Sequence, residues 1–195
     1  MSGSGSGAMS GGTAGQEQAW RTGLGVVTEA AGSDRAGKIT TAAAAVVLDA
    51  DGINALEGHI DVLRGAACPV IVTPHDGEFL RLGGDPMAQD RVREATDFAN
   101  RTGCILLLKG HRTIITDGWN IYLSAVGNPG MATGGSGDVL SGVIVSLLGQ
   151  GVMPLEAAAC AAWLHGSAGD LAAAEIGEYG MAPGDLLTRL PRLLR

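Results

Sequence analysis

The chain has 195 residues, 46% apolar and 17% charged, enough to build a core and too apolar for a disordered chain. Thirteen basic against twenty acidic side chains give a net charge of -7, and only Lys38 and Lys109 are lysines. No basic stripe is present to neutralise a phosphate backbone, so nucleic acid is not an expected partner.

An anionic small molecule remains open, provided local backbone N–H groups hold it. No apolar run approaches the ~18 residues of a membrane span, and no signal peptide is read, so no membrane partner is expected. Cys68, Cys104 and Cys160 share no CxxC spacing and sit in apolar sequence. They read as buried free thiols of a reducing compartment, which points to the cytoplasm.

Residues 1–15 are rich in Gly and Ser and read as a flexible arm, followed by one domain over 16–195. GLGVVTEA (23–30) offers a short strand. AVVLD (45–49), PVIVT (69–73) and CILLL (104–108) are apolar on both faces, as strands of a helix-covered parallel sheet are. Helical patterns lie between them at Ile53–Leu63, Asp76–Leu82 and Gln89–Thr102. TIIT (113–116) and NIYLS (120–124) flank Asp117-Gly118, a hairpin signal. Helices are expected over Asp138–Leu148, Pro154–Ile176 and Pro183–Leu194. Strand–helix alternation of this kind is an α/β layered fold.

The segment GNPGMATGGSGD, 127–138, feeds glycines straight into an apolar helix. Glycines permit close backbone approach to a ligand, and the first N–H groups of a helix lack internal partners. The junction is therefore an anion hole for phosphate. It is not a Walker A loop, which would need a lysine after the last glycine. Asp138 reads either as the helix N-cap or as a base accepting a hydroxyl proton during phosphoryl transfer.

His75 and Glu78 follow a strand end, where ligands bind in open α/β sheets. They could contact a substrate and hold Mg²⁺ through water, or simply belong to a surface loop. Lys109 follows an apolar strand and either snorkels outward or faces a phosphate. Asp49 could fix loop geometry through backbone N–H groups. His59, His111 and His165 lack matching ligand partners and read as structural, and Trp119 and Trp163 as core or rim.

Together, LDADGINAL, TPHDGEFLRL, LLKGHRTIITDG and GNPGMATGGSGDVLSGVI resemble the ADP/ATP-dependent NAD(P)H-hydrate dehydratase family of the ribokinase-like superfamily, in order and approximate spacing. The resemblance runs from about Ala44 to the C-terminus. It implies a ribokinase-like layered sandwich, a mostly parallel sheet flanked by helices, here lacking the first strands. It further implies repair of hydrated NADH or NADPH, with ADP or ATP phosphorylating the ring hydroxyl, Mg²⁺ assisting, and phosphate then leaving.

By motif, the resemblance makes Asp138 the base and a substrate contact, and His75 a second substrate contact. It assigns Thr133, Gly134, Gly135, Ser136 and Gly137 to the nucleotide phosphates. Lys109, Gly110, His111, Arg112 and Thr113 match the family's KGxxT nucleotide segment, and Glu78 its acid associated with Mg²⁺. A homo-oligomer, commonly a tetramer among relatives, is also implied. Two departures stand out: Asp76 replaces a usual proline, and residues 7–15 carry no GPGxG loop. Rival readings are a non-catalytic nucleotide-binding remnant, a sugar or vitamin kinase sharing the anion hole, and an Asp-x-Asp phosphatase using Asp49.

Overall fold

The computed structural model describes residues 25–33 and 39–194. Among the described residues six strands form one sheet in chain order. β1 (Gly25–Ser33) pairs antiparallel with β2 (Ile39–Leu48), and β2, β3 (Val70–Val72) and β4 (Ile105–Leu108) run parallel. β5 (Ile114–Thr116) and β6 (Ile121–Leu123) complete the sheet antiparallel. The parallel arrangement expected of the three apolar runs thus holds in the centre, and the whole sheet is mixed. The flanks turn antiparallel because a tight turn such as Asp117-Gly118, with Gly118 at φ 94, leaves no room for a parallel crossover. The strand expected in residues 23–30 is β1, whereas the 1–15 arm lies outside the described residues.

Alternation along the parallel strands assigns each side chain to one of two cores. Val47, Ile71 and Leu107 face α4 (Ser136–Gly149) and α5 (Pro154–Ile176). Val72, Leu106 and Leu108 face the opposite layer, which carries α2 (Asp76–Arg81) and α3 (Arg91–Thr102). There Phe79 and Phe98 pack with ring centroids 4.9 Å apart. A last helix, α6 (Pro183–Leu193), closes a smaller cluster with Val139, Ala168 and Leu186. The result is the α/β layered sandwich anticipated from the pattern.

Local chemistry sets the helix ends. Asp90 caps α3 by accepting the Arg93 N–H at 2.9 Å, and Gly103, left-handed at φ 72, ends it. The single helix expected over Ile53–Leu63 is instead a short α1 (Asp51–Asn54) and a 3-10 segment at Ile60–Gly65. Gly58, at φ 73, breaks the periodicity between them. The cysteines are all free, but only Cys104 is buried; Cys68 is half-buried and Cys160 exposed, so the uniformly buried set is corrected. Cys160 sits on the outer side of α5, a helix whose long apolar run hides that face from a sequence reading. Trp119 and Trp163 are exposed rim residues. Among the described residues no helix is long and apolar enough to cross a membrane.

The glycine-rich segment before α4 is seated on α5. A Cβ at Gly166 would lie 2.7 Å from Val126 Cγ2 and 2.9 Å from the Val126 carbonyl oxygen, so only glycine admits this approach. Asp170 then accepts the Gly127 N–H and the Asn128 side-chain amide, both at 2.9 Å. Gly166→Ala is expected to cost about 1–3 kcal/mol through overpacking against backbone. Thermal melting should register this as a fall of roughly 2–4 °C per kcal/mol. Gly142→Ala, whose Cβ would meet nothing within 4 Å among the described residues, should instead stabilise by about 0.5–1 kcal/mol.

Candidate active site

The parallel register brings three strand ends to one edge. Asp49 follows β2, Thr73 to His75 follow β3, and Lys109 follows β4, its N–H donating to the Pro74 carbonyl at 2.8 Å. Lys109 Nζ donates to Asp49 Oδ1 at 2.9 Å and lies 3.8 Å from Glu78 Oε2. Ser141, one turn into α4, donates its hydroxyl to Asp49 Oδ2 at 3.0 Å. Burial opposes the charge on Asp49, but Lys109 and the hydrogen bonds it receives hold its carboxyl below the usual carboxylate range. An ammonium has three donors, and Asp49 takes one, leaving capacity for a ligand.

The start of α4 lies over this pair. A Cβ at Gly137 would stand 3.2 Å from Asp49 Oδ2 and 3.5 Å from Lys109 Nζ. Ser136 N–H turns back to the Thr133 carbonyl at 3.2 Å, while the Gly137 and Asp138 N–H groups have no acceptor among the described residues. The positive end of the α4 dipole and Lys109 therefore converge on one face. The helix starts at Ser136, with Gly135 as N-cap at φ 92, so Asp138 is its third residue and not the cap. Its carboxylate is exposed and accepts no hydrogen bond among the described residues. A carboxylate in that position can take a proton.

His75 caps α2. Its Nδ1 accepts N–H bonds from Gly77 at 3.0 Å and Glu78 at 3.2 Å, while Glu78 Oε2 accepts the His75 N–H at 2.9 Å. Nδ1 as acceptor places the imidazole proton on Nε2, which lies 3.6 Å from Glu78 Oε1 on a side chain 56% exposed. Glu78 is buried between this cap and Lys109. In the segment after β4, His111 and Arg112 are exposed and Thr113 donates to the Gly110 carbonyl at 3.2 Å.

The structure thus gathers Lys109, Glu78 and Gly137, which the sequence nominates, around Asp49 and Ser141. Asp49 serves Lys109 rather than loop N–H groups. Ser136 is placed differently from its neighbours: its side chain is buried toward His165, whose Nε2 lies 2.9 Å from the Ser136 carbonyl oxygen and 3.2 Å from its Oγ. The structural role expected of His165 is therefore to hold the first residue of α4. No sequence signal links these two, which are 29 residues apart on different helices.

Comparison with known proteins identifies the family. A family model described as NAD(P)H-hydrate dehydratase matches residues 8–192. The chain belongs to that family. It is 50% identical over 154 residues to the bifunctional NAD(P)H-hydrate repair enzyme of Moorella thermoacetica, covering 76% of this chain and 29% of the relative. The Mycobacterium leprae enzyme of the same description is 40% identical over 182 residues, 93% of this chain and 37% of its own length. The chain therefore spans about a third of these relatives.

Among solved structures, the ADP/ATP-dependent NAD(P)H-hydrate dehydratase of Bacillus subtilis, co-crystallised with ATP and Mg²⁺, aligns with TM-score 0.62 and 33% identity. That alignment covers 65% of this chain and 48% of the other. A ribokinase-like superfamily protein of Enterococcus faecalis aligns with TM-score 0.64 and 31% identity over 76% of this chain and 51% of its own. The fold is ribokinase-like.

His165 yields a pH prediction. Burial first, and the Lys109 charge also, press its pKa below the ordinary 6.5, against the pull of its Ser136 bond. Its contribution to stability is present above pH 6.5 and is lost as the pH falls from there through the lower folded value, because the unfolded imidazole protonates first. Denaturant titrations of His165→Gln, which keeps an N–H donor, should lose less stability than the wild type between about pH 7 and pH 5.

Proposed function

We propose that this chain carries out the nucleotide-dependent dehydration of hydrated NADH or NADPH, using ADP or ATP as phosphoryl donor. The observation that carries the reading is the position of Asp138. It presents an exposed carboxylate that accepts no hydrogen bond among the described residues, in the helix turn whose Gly137 lies over the Lys109–Asp49 pair and whose Gly137 and Asp138 N–H groups have no acceptor there. The donor's phosphates bind at the Gly137 and Asp138 N–H groups and Lys109, with Thr133, Gly134 and Gly135 shaping the approach. The segment Gly110–Thr113 meets the rest of the nucleotide. Ser136, whose N–H bonds the Thr133 carbonyl and whose carbonyl and side chain meet His165, anchors the helix start that presents the Gly137 and Asp138 N–H groups.

The hydrated nicotinamide lies between Asp138 and His75, whose Nε2–H donates to it. Asp138 accepts the ring hydroxyl proton as that oxygen attacks the terminal phosphorus and the bond to the departing nucleotide breaks. The C–O bond then breaks, phosphate leaves, and a proton from the adjacent ring carbon departs with it to restore the double bond.

The acidic side chains fit Mg²⁺ in one way. No group of three or more His, Cys, Asp or Glu side chains among the described residues is placed to hold a metal. Glu78, its carboxylate already shared with the His75 N–H and near Lys109, would hold the ion through water. Mg²⁺ keeps several waters and takes one or two carboxylates plus substrate phosphates, so this single acid suffices. When bound, the ion neutralises charge on the transferring phosphates. The free thiols and the absence of a spanning helix among the described residues support action in the cytoplasm. A homo-oligomer is the assembly proposed.

The test separates binding from chemistry. ADP or ATP with Mg²⁺, at about 100 times the dissociation constant, should stabilise wild type and Asp138→Asn alike by about 2.7 kcal/mol. Formation of reduced nicotinamide from the hydrate should fall about 10²–10⁴-fold in Asp138→Asn. Nucleotide binding by the wild type without turnover would mark a non-catalytic remnant. Release of a phosphorylated product that keeps its phosphate would mark a kinase.

A further inference from the structure

We propose that Arg91, seated by Asp76, is a positioning residue that sets the Lys109–Gly110 peptide for nucleotide binding. The proposal rests on the reading of Lys109–Thr113 as part of the donor site. Arg91 opens α3 and Asp76 opens α2, and their side chains meet with Arg91 Nη2 2.6 Å from Asp76 Oδ1. The same Nη2 donates to the Lys109 carbonyl at 3.2 Å. Gly110, at φ 153, lies against it, and a Cβ there would stand 3.1 Å from Nη2. One guanidinium therefore joins the residue next to His75 with the residue next to Gly110.

A cation in the first turn of a helix faces the positive end of its dipole and is disfavoured there. Asp76 offsets that cost by holding the guanidinium in place. The consequence is geometric. In a trans peptide the C=O and N–H point opposite ways, so fixing the Lys109 carbonyl toward Arg91 aims the Gly110 N–H away from it. That N–H has no acceptor among the described residues. It is thereby presented as a donor to the nucleotide. Nη2 of Arg91 is taken up by Asp76 and the Lys109 carbonyl, and the role assigned to it is exerted through that peptide.

Calorimetric titration of ADP and of ATP, each with Mg²⁺, tests this on three proteins: wild type, Arg91→Ala, and the charge swap Asp76→Arg/Arg91→Asp. Arg91→Ala should raise the dissociation constant about tenfold. In turnover it should raise KM for nucleotide while kcat at saturation stays within about twofold. The swap should recover melting temperature but not affinity, because a carboxylate at position 91 cannot donate to the Lys109 carbonyl. Should Arg91→Ala fail to fold, the swap alone decides. Unchanged affinity in Arg91→Ala, or affinity restored by the swap, overturns the proposal while the donor-site reading stands. A wild type that binds neither nucleotide overturns that reading, and this proposal with it.

Discussion

The contact between Lys109 and Asp49 ties the functional edge of this molecule together, and its surroundings depend on it. It links the ends of β2 and β4 across β3, and Ser141 adds α4 to the same carboxylate. Lys109 is one of two lysines in the chain, and it is positioned by residues from three segments distant in sequence. A half-buried ion pair of this kind adds little net stability, since desolvation offsets much of the Coulombic gain. Its value is placement. A cation is held in reserve under a helix N-terminus, with two of its donors left for an anion.

Glycine is required at a few positions for reasons particular to each. Gly137 is small because the Asp49 carboxylate and Lys109 ammonium lie immediately below it. Gly135 adopts φ 92 so that the chain can turn into α4. Gly166 on α5 lets the preceding loop settle against backbone, with Asp170 holding the loop's first N–H. These features fix the backbone leading into α4 through packing and hydrogen bonds within the chain, and pre-organisation of this kind lowers the ordering cost of binding.

Much of this was legible in the sequence because the signals are local. Runs of branched apolar residues gave the three parallel strands, and Pro154 with the small-residue run after it gave α5 nearly residue for residue. Asp117-Gly118 gave the hairpin. The four motifs led to the family, since each joins a strand end or helix start to chemistry that needs it. What escaped was whatever depends on long-range packing. His165 against Ser136, Arg91 against the Lys109 carbonyl, and Ser141 on Asp49 have no spacing rule to announce them. The break at Gly58 was missed because the apolar residues around it retain helical spacing. The true cap of α4 was missed because Asp138 is a better capping type than Gly135, and only the backbone turn decides between them.

The claim that most needs measurement is that Lys109, held by Asp49, receives the nucleotide's phosphates. The double variant Asp49→Asn/Lys109→Met removes the pair without leaving either of its charges buried alone; Glu78, 3.8 Å from Lys109, keeps its bond from the His75 N–H, and a cooperative melt checks that the fold persists. Its dissociation constants for ADP and ATP with Mg²⁺ should then be compared with those of the wild type by calorimetry. Weakening of about tenfold or more, in a protein that still melts cooperatively, is the expected result. A folded double variant that binds both nucleotides as tightly as the wild type would contradict it.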